Sequence, residues 1–274
     1  MKAAAGRSAG QPREPAHEGM RALYDSYYAS RDYERRYPRP NAGTLDFLWR
    51  HGLAQARRVA DVGCGHGRYA VPVLEAGAAA LVACDPSRGA LDAFTARLDG
   101  APWASRVTLV RGGAEALPMT RFDRFLMLFG VLGHIGPREA RIEALRQLRQ
   151  RATADARLLL SVPSRWRRRP LELLASLWRP AGEAFGDVSF RRVISGRPQV
   201  FAYHLYTLSE LRQELAEAGW LLEQAEPESV APEWLVTRHP AWERMDRRLQ
   251  RWWPAALGYG IRAAARTAEA AQRP

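Results

Sequence analysis

The chain has 274 residues, 47% hydrophobic and 26% charged, a length and balance that suit one large soluble α/β domain with additions. Its two cysteines, Cys64 and Cys84, make no disulfide framework and lack metal-ligand spacing, and no run nears the roughly 18 apolar residues of a membrane span. The net charge of +12 admits a nucleic-acid or anionic-membrane partner, but Lys2 is the only lysine and diffuse surface arginine explains the balance equally well.

In chain order, residues 1–19 are rich in Ala, Gly, Pro and Arg without the apolar stretch of a secretory signal, so a disordered tail and a cytoplasmic protein are expected. Residues 20–56 read as a helical lid. Met20 to Arg36 is helix-like with Tyr24, Tyr27 and Tyr28 on one face, Pro38, Pro40 and Gly43 interrupt, and Thr44 to Gly52 suits a short amphipathic helix. From Arg57 strands and helices alternate: strands at 57–62, 80–84, 106–110, 122–129 and 156–162, with helices at 66–76, 87–98 and 137–151. That alternation predicts a parallel sheet with crossover helices. Thr207-Leu208-Ser209-Glu210 is a capping box for a helix stopped at Gly219, followed by a sixth strand near 220–226 and a seventh at 233–238.

The alternation is interrupted by 163–206, read as an acceptor-side insertion into the domain at 57–238. It holds the basic cluster Arg165 to Arg169, a Leu/Trp patch at 171–178 and a Gly/Pro loop at 179–186. Two strands, 188–194 and 200–206, then surround Ser195-Gly196. Residues 239–274 are predicted as C-terminal amphipathic helices. Trp242, Met245, Leu249, Trp252 and Trp253 share one stripe, Arg244, Arg247, Arg248 and Arg251 fill much of the rest, and an Ala-rich helix with Ile261 and Arg262 follows. Such a stripe either packs on the domain or lies at a membrane interface, the inner face in this case.

The most informative stretch is Val59-Ala60-Asp61-Val62-Gly63-Cys64-Gly65-His66-Gly67-Arg68. A glycine-rich turn between strand and helix lets backbone approach a ligand closely. A dinucleotide site expects G-x-G-x-x-G. Here the third glycine, Gly67, comes one residue early, and Asp61 stands two residues before Gly63. This pattern resembles motif I of the class I S-adenosylmethionine-dependent methyltransferases. Further segments are similar to that family in the same order: Leu81 to Asp85 ends the second strand in an acid, Gly112-Gly113-Ala114-Glu115-Ala116-Leu117-Pro118 matches its adenine segment, Phe122 to Ile135 its fourth strand and Leu158 to Pro163 its fifth.

The resemblance implies a Rossmann-like, mostly parallel seven-stranded sheet with helices on both faces, an insertion after the fifth strand and C-terminal helices. It implies S-adenosyl-L-methionine as cofactor and no metal. Asp61, Gly63, Gly65 and Gly67 would cradle the amino-acid end, Asp85 the ribose, and Ala114 and Glu115 the adenine side, with Pro86 and Leu128 as further cofactor contacts. Gly113 replaces an aspartate common in the family, which leaves the adenine amino contact to Glu115 or to the backbone at Ala114.

Methyl transfer is an in-line displacement whose leaving group needs no acid, so a base matters only where the acceptor must lose a proton. His134, after the fourth strand, is the candidate for that base, or else it orders its loop through the backbone. Tyr24, Tyr28, Tyr203 and His204 are the candidates for acceptor binding. The aromatic insertion favours a small or lipid-like acceptor. The alternative is a tRNA methyltransferase of the wobble-uridine type, suggested by Tyr203 to Tyr206 and by the arginines at 165–169. A non-catalytic binding subunit is a third class, opposed by intact Asp61 and Asp85. Oligomeric state is open.

Overall fold

The computed structural model describes residues 15–171, 174 and 185–268. An N-terminal arm comprises α1 (Pro15–Ala29), α2 (Asp32–Arg36) and α3 (Ala42–Arg50). The alternating region runs β1 (Val59–Val62), α4 (Ala70–Glu75), β2 (Leu81–Asp85), α5 (Arg88–Leu98), β3 (Val107–Arg111), β4 (Phe122–Met127), α6 (Val131–His134), α7 (Arg138–Gln150) and β5 (Ala152–Pro163). It continues with β6 (Asp187–Ile194), β7 (Arg197–His204), α8 (Leu208–Glu217), β8 (Trp220–Ser229), α9 (Glu233–Arg238), α10 (Pro240–Gln250) and β9 (Gly260–Thr267).

Seven strands form one sheet in the order β3-β2-β1-β4-β5-β9-β8. Neighbours from β3 to β5 are parallel, while β9 is antiparallel to both β5 and β8. The Rossmann-like sheet, helices on both faces and the insertion are therefore as expected. β1 and β2 are buried at every position, as strands covered on both faces must be. One apolar layer gathers Ile142, Leu145, Leu148 and Trp220 against one face of the sheet. The other sets Phe47, Leu74 and Phe94 against the opposite face. α8 starts with the expected capping box at Thr207 and Glu210. It is tied to α7 by the buried Arg141–Glu214 pair at 2.8 Å.

Two elements differ from the sequence reading. Residues 233–238, expected as the seventh strand, form the short helix α9, entered from Pro232 and closed before Pro240. The seventh strand is β9, whose residues 260–267 were expected to be an Ala-rich helix. Alanine favours helix in isolation, but inside a sheet its small side chain fits where both neighbours and both faces are already filled. Ala263, Ala264 and Ala265 are fully buried there. The domain boundary drawn at 238 consequently moves to the end of β9, and α10 becomes a connection inside the domain. At the other end, helix begins at Pro15, so residues 15–19 are not tail, and 1–14 lie outside the described residues. Most of the Leu/Trp patch at 171–178 and of the loop at 179–186 also lies outside them.

The hairpin β6–β7 forms a second, two-stranded sheet. Its inner residues Val188, Phe190, Phe201, Tyr203 and Leu205 pack with Leu23, Tyr27, Tyr28, Tyr33 and Tyr37 of the arm. Arm and hairpin share one core, and that core roofs the C-terminal edge of the sheet, where open α/β folds bind ligands.

Candidate active site

The chain leaves β1 through Gly63, Gly65 and Gly67 at φ 70°, 55° and 76°, the left-handed region that side chains resist. A Cβ at Gly63 would strike Val131, at Gly65 the Tyr28 hydroxyl and at Gly67 the Phe94 ring. Gly63 and Gly67 thus permit packing, while Gly65 keeps open the space beneath Tyr28. The following helix starts at Ala70, later than the expected residue 66, because residues 65–69 complete the turn first.

Asp85, at the end of β2, braces this turn. One carboxylate oxygen accepts from the Gly65 N–H and the other from the Ser87 N–H, both at 2.9 Å. Burial raises the Asp85 carboxyl to about 6 against these two bonds. Burial, with the Asp85 charge added, raises that of Asp61 to about 7. Two buried carboxyls held above their ordinary range are a donor set awaiting a cation and hydroxyl donors. An ammonium and a ribose diol supply both, so the residues present fit S-adenosylmethionine. Along the same edge Pro86 is part-exposed, and Ala114 and Leu128 are buried. Glu115 curls back to accept from the Gly113 N–H at 2.7 Å and so shapes the loop where the family's aspartate is missing.

The arm closes over this cradle. Asp25 accepts from the Ser87 hydroxyl at 2.7 Å and the Gly89 N–H at 2.9 Å, latching α1 across the start of α5. Only glycine fits at 89, since a Cβ would lie 2.9 Å from the Asp25 carbonyl oxygen. Tyr28 then reaches the Gly65 turn. The His66 ring sits against Tyr28 and Tyr33. Burial, reinforced by Arg97 and Arg68, holds its pKa down near 3.

His134 reaches the site because Phe129 and Gly130 are both left-handed, at φ 63° and 81°, and turn the chain sharply from β4 into α6. The Phe129 conformation costs on the order of 1–3 kcal/mol. It is held by its N–H donating to Ser161 Oγ at 2.7 Å, whose hydroxyl donates to Glu228 at 2.6 Å. The Nδ1 of His134 lies 3.1 Å from the Ala202 carbonyl oxygen and its Nε2 3.1 Å from the Tyr24 hydroxyl. A carbonyl only accepts, so Nδ1 carries the hydrogen and Nε2 accepts from Tyr24. Burial lowers the His134 pKa to about 4, with Arg168 and Arg192 adding to the effect, against the Ala202 bond. His134 therefore ties its loop to the Ala202 backbone, while its neutral Nε2 accepts from Tyr24.

Tyr203 packs edge-on to His134 at 5.5 Å, and its buried hydroxyl has no partner among the described residues. The Arg168 guanidinium lies over the rings of Tyr203 and Tyr259, at 5.5 and 4.9 Å. Arg192 donates to the Tyr27 hydroxyl at 3.2 Å. Tyr28, at the glycine turn, lies next to Tyr24, and Tyr24, His134 and Tyr203 follow in contact with one another. His204 does not join them: successive strand residues face opposite ways, and its Nδ1 pairs with Asp187 at 2.6 Å at the base of the hairpin.

The arginines at 165–169 are engaged internally. Arg165 is bonded to the Leu205 carbonyl and to Glu210, Arg167 to the Val230 carbonyl, and Arg169 lies over Phe190. Arg165 is thereby buried in the domain, while Arg167 stays exposed. Sequence reasoning missed Asp25, Phe129, Arg168 and Tyr259. Only Asp25 had a signal, an acid set among the tyrosines of an amphipathic helix. Among the described residues no cluster of His, Cys, Asp and Glu could hold a metal ion.

Residues 59–153 match the family model described as a methyltransferase domain. No curated protein matches the chain in sequence. Its fold is similar to the CcbJ methyltransferase from Streptomyces caelestis, with TM-score 0.57 and 19% identity over 84% of this chain and 91% of that one. It is also similar to DhpI in complex with SAM and HEP, with TM-score 0.61 and 15% identity over 93% and 100%. A third likeness is the glycopeptide N-methyltransferase MtfA, with TM-score 0.55 and 17% identity over 83% and 90%.

Proposed function

We propose that the chain is a class I S-adenosylmethionine-dependent methyltransferase, as the methyltransferase-domain match over residues 59–153 supports, and that it methylates an oxygen or nitrogen nucleophile of a small or lipid-like metabolite. The bound cofactor supplies an electrophilic methyl group on its sulfonium. Asp61 and the Gly65 turn would hold its amino-acid end and Asp85 its ribose, with Tyr28 packed over the turn. An acceptor brought beside His134 and Tyr203 would sit among buried aromatic rings, where apolar surroundings exclude water.

The observation that carries this reading is the Tyr24–His134 hydrogen bond beside Tyr203. A hydroxyl oxygen becomes strongly acidic as it gains a methyl group, and its proton then needs a place to go. It passes to the Tyr24 oxygen as the Tyr24 proton passes to His134 Nε2. A histidine titrating near 4 is neutral throughout the physiological range, so this acceptor nitrogen is always available. An aromatic chamber bordered by the Arg168 and Arg192 guanidiniums suits an amphipathic acceptor with a polar or anionic end. The N-methyltransferase among its structural neighbours accords with a small natural-product substrate.

Isotope-labelled cofactor incubated with separate lipid, tRNA and soluble-metabolite extracts should label the lipid or soluble fraction. His134→Gln should then lower kcat by about 10²–10⁴, the usual range for acid–base assistance, with Tyr24→Phe falling less. S-adenosylhomocysteine affinity should stay unchanged in both. Label confined to tRNA overturns the substrate class, and full kcat in His134→Gln overturns the proton path.

A further inference from the structure

Helix α10 is attached to the domain by the opposite face from the one its composition suggests. Its buried residue is Asp246, 1% exposed, which accepts from the Val230 and Ala231 N–H groups at 2.8 Å. Glu243 reaches Arg39, and Gln250 reaches Arg262. The apolar stripe faces outward: Trp242, Met245 and Leu249 are 42–43% exposed, and Trp252 just beyond the helix is 90% exposed. Exposing four large apolar groups while burying a carboxylate is an unfavourable choice in water alone. Contiguous apolar surface of this kind marks a docking face.

Its surroundings indicate the partner. Arg244, Arg247, Arg248 and Arg251 are exposed along the flank of the stripe, and Arg247 pairs with Asp46. They line a groove of about 1040 Å³ between α10 and α3. Tryptophans beside a row of arginines match the boundary between acyl chains and anionic headgroups. The same face adjoins the acceptor chamber. Arg167 lies over Trp253, Ser164 N–H donates to the Tyr259 carbonyl, and the Tyr259 ring lies against Arg168.

We propose that the outer face of α10, with the turn at 252–257, docks the enzyme on an anionic bilayer and sets its acceptor chamber beside the lipid surface. The arginines meet the headgroups and the tryptophans enter the interface. This extends the reading of a lipid-like acceptor, but vesicle binding requires no methyl transfer, so either can fail alone.

The full chain should co-sediment with vesicles of phosphatidylglycerol and phosphatidylcholine in equal parts at low salt. It should not do so with phosphatidylcholine alone. Replacing Arg244, Arg248 and Arg251 with Gln should weaken binding roughly fivefold per arginine, an effect that added salt mimics in the native chain. Trp242→Ser with Trp252→Ser should weaken it at every salt concentration while leaving the melting temperature unchanged. A native chain that stays in the supernatant with anionic vesicles at low salt overturns the proposal. So does undiminished binding of the triple arginine variant. Sedimentation velocity closes the remaining route: a native dimer that the tryptophan variant converts to monomer assigns the face to a second copy of the chain instead.

Discussion

The cofactor half of the site and the acceptor half differ in how far apart their residues lie along the chain. Asp61, Gly63, Gly65, Gly67 and Asp85 fall between positions 61 and 85, on two adjacent parallel strands and the turn after the first. Tyr24, His134, Arg168, Tyr203 and Tyr259 are drawn from an N-terminal helix, α6 after β4, the insertion and the connection before β9. In the first half, function is fixed by backbone shape: left-handed glycines and a carboxylate bonded to two N–H groups. In the second, it is fixed by side chains meeting across a shared core of arm and hairpin. The first is a backbone cradle, and the second a cluster of side chains from distant parts of the chain. The single carboxylate of Asp25 ties them together.

Gly65→Arg breaks the comparison most severely. The new side chain must displace Tyr28 from a residue already left-handed. Calorimetry should show no S-adenosylhomocysteine binding, while the far-ultraviolet circular dichroism of the folded chain persists. Retained binding would mean that the turn is not the cradle.

Asp61→Asn sharpens it through pH. The folded-state carboxyl titrates near 7 and its ordinary value is 3.8. Its burial is therefore tolerated fully below about pH 4, and the stability this contributes is lost as pH rises through 7. The variant should melt higher than the native chain at pH 8, by up to about 2–4 kcal/mol of stability, and equal it at pH 4. It should bind cofactor at least tenfold more weakly at pH 8. Native affinity should fall as pH drops below about 7, because the protonated carboxyls no longer attract an ammonium. Equal melting at both pH values would remove Asp61 from the cradle.

Asp25→Ala gives the smallest effect and tests the tie itself. Two hydrogen bonds to a charged group are lost from a half-buried place, so about 1.5 kcal/mol is the expected scale. Stopped-flow measurement should show S-adenosylhomocysteine leaving roughly tenfold faster, consistent with that energy. An unchanged release rate would show that α1 does not gate the cradle.

The sequence by itself determined the cofactor half. Asp61, the three glycines and Asp85 were legible because a tight strand-to-helix turn constrains few residues, all close in sequence. The capping box at Thr207 and the alternation from β1 to β5 were legible for the same reason: hydrophobic period and helix caps are local. Tertiary structure alone decided the rest. An Ala-Ala-Ala core reads as helix until two strands flank it, so β9 was invisible, and α9 was mistaken for the strand that β9 supplies. His134 shows both kinds of information in one residue. Its place after β4 could be read, but its tautomer and its partner Tyr24, 110 positions away, required the fold. Arg168, sandwiched between Tyr203 and Tyr259, looked like one arginine in a basic run. The outward stripe of α10 left two readings open, packing on the domain being the one favoured, because a helix pattern shows which residues share a face and not which face meets the domain. That choice was made by Asp246, whose bonds to Val230 and Ala231 turn the polar side inward.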